Sequence, residues 1–152
     1  MVNTKHAIFK LGEENYGLDI MNINSIEKSI PIKKVANAPS NMKGIIDLRG
    51  EKIPVYSFRS KFGLEEKDAD DNTRLLITKS NGIPIAYEVD KMEEIVEVEK
   101  DQMLDAPTLI TSANTSYIKA VTKNNDRLII LMDIDGILSE EEQNKIKASL
   151  KK

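Results

Sequence analysis

The chain has 152 residues, with 22 Lys and Arg against 25 Asp and Glu, a formal charge of −3. That length favours one domain, or one domain of two small lobes, and 40% hydrophobic residues supply a core large enough to exclude disorder over most of the chain. The absence of Cys excludes disulfides, thiolate nucleophiles and sulfur-ligated metals, and a single His, His6, cannot build a histidine metal site.

In chain order the signals are mostly those of strands. Residues 7–11 and 16–20 are short apolar or alternating runs on either side of Gly12-Glu13-Glu14-Asn15, which reads as a hairpin. Residues 44–48 and 53–58 repeat the pattern around Arg49-Gly50-Glu51-Lys52. Segment 65–72 is dense in charge and reads as a solvated loop dividing the chain near its middle. Residues 75–78 and 83–89 flank Lys79-Ser80-Asn81-Gly82, where Asn-Gly suits a tight primed turn. Residues 117–123 and 128–134 flank Asn124-Asn125-Asp126, residue types that tolerate left-handed backbone. Pro54 and Pro84 fall inside strand-like runs, so each should stand at an edge, a start or a bulge. The clearest helix is 139–150, with Ser139 as its cap and Glu142 completing a capping box; its apolar side is little more than Ile146 and Leu150, which predicts a surface helix.

The two halves echo each other. Tyr16-Gly17-Leu18-Asp19 and Met21 are matched by Tyr87-Glu88-Val89-Asp90 and Met92; Asn37-Ala38-Pro39 by Asp105-Ala106-Pro107; Lys43-Gly44-Ile45 by Lys119-Ala120-Val121. The spacing is roughly 70 residues each time, which suggests a duplicated β unit whose copies share a core. Charge is uneven as well. Residues 28–61 hold eight Lys/Arg and two acids, a net +6, against −9 elsewhere. That belt suits an acidic protein partner, a phosphate backbone, or strand edges guarded against aggregation.

Catalysis finds little support. The chain has no phosphate-cradling, dinucleotide, nucleophile-elbow or zinc-protease motif. Asp133 and Asp135 match half of a calcium loop without its remaining ligands. No metal or other cofactor is expected. No apolar run approaches the ~20 residues of a bilayer span, and the N-terminus lacks a secretory apolar core, so a soluble, cytoplasmic protein is expected. A small barrel binding single-stranded nucleic acid through the 28–61 belt is the alternative reading, although only Tyr56 and Phe58 lie near the belt for stacking.

Segment 41–55, Asn-Met-Lys-Gly-Ile-Ile-Asp-Leu-Arg-Gly-Glu-Lys-Ile-Pro-Val, strongly resembles the signature of the CheW family of chemotaxis adaptors. Supporting matches are Phe9, Leu11-Gly12, Glu14 and Tyr16-Gly17-Leu18-Asp19-Ile20, then Asn37-Ala38-Pro39, Phe62-Gly63-Leu64, Val89-Asp90 and the run 128–134. The resemblance implies an all-β fold: two intertwined five-stranded SH3-like β-barrels, with a C-terminal helix. One such domain would cover residues 1–138, its two subdomains dividing near 65–72, and the surface helix would cover 139–150.

The same resemblance implies a non-enzymatic scaffold that couples chemoreceptor cytoplasmic tips to the regulatory domain of the histidine kinase CheA. The protein would be a monomer alone, assembled with its partners in membrane-associated arrays, and would neither enter the bilayer nor bind nucleic acid. Ile20, Ile23, Ile26 and Gly44 match receptor-facing positions, although alternate isoleucines also suit a core and Gly44 suits close backbone packing. Arg49 matches the signature arginine, whose planar fork suits either an interface or an internal ion pair. Ile53, Val55 and Tyr56 are candidates for an apolar patch against the kinase, and Leu109 for a contact closing rings of adaptor and kinase. The sequence departs from the family pattern at Ser25, where a Glu that partners the arginine is common, so Glu27 or Asp47 should take that part. Ala86-Tyr87 and Ala120 stand where glycines are usual, and Asp47 where Asn is frequent. These departures leave the detailed shape of the groove, and hence partner choice, open.

Overall fold

The computed structural model describes residues 3–35, 41–62, 64–65, 68–80, 82–99, 103, 118–124, 127–137 and 140–150. Ten strands appear: β1 (Asn3–Leu11), β2 (Glu14–Asp19), β3 (Ile23–Lys28), β4 (Met42–Leu48), β5 (Glu51–Ser57), β6 (Arg74–Ser80), β7 (Ile83–Val89), β8 (Lys91–Glu99), β9 (Ile118–Asn124) and β10 (Arg127–Met132). A 3-10 turn (Ile20–Asn22) joins β2 to β3. Two four-residue helices, α1 (Phe58–Lys61) and α2 (Ile134–Ile137), follow β5 and β10, and α3 (Glu140–Leu150) follows these.

The strands form two five-stranded sheets, ordered β8-β1-β2-β10-β9 and β3-β6-β7-β5-β4. These orders are the same pattern written twice. In each, an edge strand pairs with a hairpin, the hairpin pairs in parallel with one arm of a second hairpin, and that hairpin's other arm forms the far edge. The parallel ladders join β2 to β10 and β7 to β5, setting Tyr16 beside Ile130 and Tyr87 beside Tyr56. Residues 3–57 thus follow the same path as residues 74–132. The Tyr16-to-Asp19 and Tyr87-to-Asp90 echo falls on equivalent strands.

Each half places its first hairpin in one sheet and its other three strands in the other. The 65–72 boundary therefore separates the two copies in sequence but not the two sheets in space. Chain passes between sheets at the Ile20–Asn22 turn and again at Asp90. A consequence is that neither half owns a complete sheet. Cutting the folded protein at a protease site inserted after the exposed Ala69 should leave one particle by native gel filtration, with unchanged circular dichroism; separation into two halves would refute the exchanged topology.

Neither sheet closes into a barrel by ladder pairing among the described residues, so the arrangement is SH3-like but open. In the second sheet the gap is bridged at Lys33, whose N–H and C=O exchange 2.8 Å bonds with Ile45 of β4. Each sheet also ties its edge strand to its far hairpin with a carboxylate and an arginine: Glu27 with Arg49 in one, Glu94 with Arg127 in the other.

Burial follows strand alternation. Ile8, Val96, Val98, Ala120, Ile129 and Leu131 fill a core private to the first sheet, and Ile46, Ile53, Val55, Leu75, Ile77 and Ala86 one private to the second. A third, larger cluster between the sheets draws on both halves and on α1, α2 and α3. Six of the seven Phe and Tyr side chains of the sequence stack there in one connected array. Phe9 touches Tyr16 and Phe58, Phe62 touches Tyr16 and Phe58, and Phe58 lies 4.5 Å from Tyr87, which meets Tyr56 edge-on. Such contacts contribute roughly 0.5–1.5 kcal/mol each beyond burial.

Pro54 and Pro84 lie in central strands, not edges. Both precede the short parallel ladder, which begins at Val55 and Ala86, so each stands where its strand has a neighbour on one side only. Ser139, and with it the capping box expected of Ser139 and Glu142, lies outside the described residues. The Glu142 carboxylate reaches Tyr56 and Lys61, while Ile146 is buried in the shared core, worth roughly 2 kcal/mol. Among the described side chains, the helix is therefore tied down by Glu142, the buried Gln143 and Ile146.

Candidate functional site

Where chain crosses from β2 to β3, the path of the backbone leaves apolar side chains between two sheet edges. Ile20 of the 3-10 turn, Ile23, Ser25 and Ile26 of β3, Ala7 of β1 and Ile95 of β8 line one open groove. β3 and β8 are the equivalent edge strands of the two sheets, so the groove is a seam to which both contribute. Ile26 is 42% exposed, Ile95 61% and the adjoining Met21 84%. Three large apolar side chains this exposed near one groove mark a surface built to be covered.

The structure brings Ile20, Ile23 and Ile26 together here. It does not bring Gly44, which is buried in β4 at φ +155°, under the segment that follows β3; a Cβ there would fall 2.3 Å from the Lys33 carbonyl oxygen. Gly44 therefore permits the Lys33–Ile45 bridge and lines no part of the groove. Of the departures from the family pattern, only Ser25 lines the groove, since Ala86 and Ala120 belong to the private cores and Asp47 holds the β4–β5 turn. Ala7 and Ile95 were not legible as groove residues. Their signal is the alternation of exposed Ile95 and Glu97 with buried Val96 and Val98.

Arg49 sits in the turn between β4 and β5. Leu48 pairs with Glu51, so the loop has two central residues, Arg49 and Gly50, at φ +52° and +83°. That is the backbone of a primed hairpin turn, and Asp47 supports it by accepting the Gly50 N–H at 3.1 Å. A non-glycine residue in this conformation costs roughly 1–2 kcal/mol. The Arg49 side chain is 75% exposed and reaches Glu27 at 3.6 Å, an exposed pair worth at most about 1 kcal/mol. Local stability does not account for an arginine here. Glu27, rather than Asp47, takes the carboxylate's part.

Ile53, Val55 and Tyr56 are 2%, 0% and 1% exposed. The expectation that they form an apolar patch against a kinase is corrected: β5 has a neighbour on both sides, and its side chains are core on both faces. Leu109 lies outside the described residues. Tyr56 has a structural part instead. Its phenol accepts from Asn41 Nδ2 at 3.2 Å and donates to Glu142, whose other oxygen takes Lys61 Nζ at 2.8 Å.

Burial first, then the bond to Glu142, push the Tyr56 phenol above its ordinary value near 10. Because the folded protein holds this proton more tightly than the unfolded chain does, the stabilisation is complete below about pH 10 and fades as pH rises beyond it. Tyr56→Phe should lower stability by about 1 kcal/mol at pH 7. In denaturant titrations across pH 7–11.5 the gap between wild type and variant should narrow above about pH 10; a constant gap would remove Tyr56 from the alkaline limb.

The basic belt is half compensated. Four of its eight cations pair with acids outside it: Lys43 with Glu88, Arg49 with Glu27, Arg59 with Asp90 and Lys61 with Glu142. Tyr56 and Phe58, the aromatics nearest it, are buried at 1% and 0%. Among the described residues of the belt, then, neither aromatic is open to stack on a base, and the nucleic-acid alternative draws no support from them.

The fold and its exposed seam define a two-sheet β scaffold that presents protein-binding ground. Residues 5–142 match the CheW-like domain, and the chain belongs to that family, one of non-enzymatic chemotaxis adaptors. It is 30% identical over 141 residues to the chemotaxis protein CheW of Klebsiella aerogenes, covering 93% of this chain and 85% of that one. It is 31% identical over 134 residues to the CheW of Helicobacter pylori, covering 88% and 80%. The crystal structure of the scaffolding protein TtCheW from Thermoanaerobacter tengcongensis superposes with a TM-score of 0.83 at 27% identity, covering 93% of this chain and 92% of that one. No helix among the described residues is long and apolar enough to cross a membrane.

Proposed function

We propose that this protein couples chemoreceptor cytoplasmic tips to a CheA-type histidine kinase and helps to assemble them into arrays at the membrane. The observation that carries this reading is the groove between β3 and β8. A receptor tip is a helical hairpin, and an open apolar groove suits the apolar face of a helix. Ile20, Ile23 and Ile26, with Ile95 facing them, would cover that face.

The kinase regulatory domain would dock on the second sheet at the Arg49 turn. The strained backbone and the exposed guanidinium support this, because an arginine kept at a conformational cost, with no local gain to match, is better explained by a partner's carboxylate. Leu109, in the second half, is retained as the proposed ring contact. The protein would act by biasing the kinase between conformations through differential contacts, as a monomer when alone.

Kinase autophosphorylation in receptor-containing membranes, measured with and without the protein, tests the reading. Output should become receptor-controlled only when the protein is present. Unchanged output, together with no binding to either partner, would refute it.

A further inference from the structure

We infer that the groove has one fixed wall and one adjustable wall, and that Met21 on the adjustable wall lets the same groove receive chemoreceptor helices whose apolar faces differ. The inference rests on the groove's reading as the receptor site, and adds how the site fits its occupant. The fixed wall is Ala7 and Ile95. They pair inside an unbroken ladder that runs from Asn3 with Glu99 to Ile8 with Glu94, and Ala7 is fully buried. The chain enters this wall at Asp90, where the Arg59 fork and the Gly12 N–H hold the carboxylate and the Asp90 N–H donates to the Lys10 carbonyl at 3.1 Å. Side chains on such a wall move only with the whole sheet.

The opposite wall begins at the other crossing, which is held more loosely. None of the residues Ile20–Asn22 is buried. Among the described residues, two local bonds hold this turn: the Met21 N–H donates to the Asp19 carboxylate at 2.9 Å, and the Ile23 N–H to the Ile20 carbonyl. β3 then bulges at once, since Ile23 pairs with Thr78 and Ser25 with Ile77, which leaves Asn24 out of the ladder. Between Asp19 and Ser25 the pair of Ile23 with Thr78 therefore ties the wall to its sheet. A segment so tied, with no buried side chain from Ile20 to Asn24, opens at the low end of the free-energy scale. Met21 is 84% exposed between Ile20 and Ile23, which both line the groove. Its unbranched thioether repacks around different neighbours at little cost, as surfaces that accept several partners require.

The test uses the full-length protein and a soluble chemoreceptor-tip fragment from the same cell, with one residue of the fragment's apolar stripe set in turn to Val, Leu, Met and Phe. A rigid pocket separates side chains one methylene apart by roughly tenfold or more. The wild type should bind the whole set within about fivefold. Met21→Leu, unbranched at Cβ, should keep that tolerance, whereas the stiff Met21→Val should spread the set by roughly tenfold or more. Amide exchange reads the same property without a variant: residues 20–24 should exchange at least about tenfold faster than residues 5–8 in the free protein, and slow when the fragment binds. Equal protection of the two segments in the free protein would overturn the adjustable wall. So would Met21→Val binding the set as the wild type does while Ile26→Asp abolishes binding. If Ile26→Asp binds normally, the groove itself is not the receptor site and the wall falls with it. Thermal melts of both Met21 variants should match wild type, since the side chain is exposed.

Discussion

Asp90→Ala should lower the free energy of unfolding by about 3 kcal/mol, read from urea or thermal denaturation. Asp90 stands where β7 ends and the chain crosses to β8. Its carboxylate takes two parallel bonds from Arg59, Nε to Oδ1 at 2.7 Å and Nη2 to Oδ2 at 2.6 Å, and accepts the Gly12 N–H of the β1–β2 turn at 2.7 Å. Arg59 also donates to the Glu65 carbonyl at 2.8 Å. The two side chains are only 18% and 13% exposed. Removing the acid would leave a largely buried guanidinium without its fork partner and detach a corner where both sheets meet.

The equivalent position in the first half gives a built-in control. Asp19 is the last residue of β2 and Asp90 comes directly after β7, yet among the described residues Asp19 accepts the Met21 N–H at 2.9 Å and meets no arginine. The parallel ladders place Asp133 in the second copy where the first has Arg59, so Asp19 is offered no guanidinium from that position. Asp19→Ala should cost about 1 kcal/mol. Equal losses at the two positions would show that the clamp at Asp90 is not what matters.

Ile26→Asp should abolish receptor coupling, lowering tip affinity by more than tenfold, while the protein stays folded. Ile26 is 42% exposed before any partner arrives, so the charge adds little cost to the free protein. In the complex it would have to be buried among Ile20, Ile23 and Ile95 with nothing to pair it, a cost of several kcal/mol. Binding to the kinase regulatory domain should be unaffected. A variant that bound the tip normally would remove the groove from the account.

The hairpins were readable because their turns carry Gly, Asn and Asp between apolar runs, and the family signature at residues 41–55 identified the fold as two related β units. Loop lengths were overestimated: the first hairpin turns on Gly12 and Glu13 alone, with Leu11 paired to Glu14, since polar residues such as Glu51 and Lys52 continue the ladder on an exposed strand end. β8 escaped pattern reading because its outward positions are mostly glutamate and only two of its side chains, Val96 and Val98, are buried. Its Ile95 therefore could not be placed at the groove from sequence.

Ile20, Ile23 and Ile26 were marked out by the family resemblance, and they line one open groove. Ile53, Val55 and Tyr56 looked like the same kind of run, but β5 is covered on both faces, by its sheet's private core and by the shared core. One strand cannot reveal that second layer. The Arg59–Asp90 clamp joins positions 31 residues apart, and neither partner's neighbours in sequence announce the other.

The central claim is that two different proteins occupy separate faces of this scaffold at once. Sedimentation of the protein mixed with a receptor-tip fragment and a kinase regulatory domain should reveal a complex of all three, from which Ile26→Asp removes only the tip and Arg49→Glu only the kinase domain. Mutual exclusion of the two partners, or a single substitution that releases both without unfolding the protein, would contradict it.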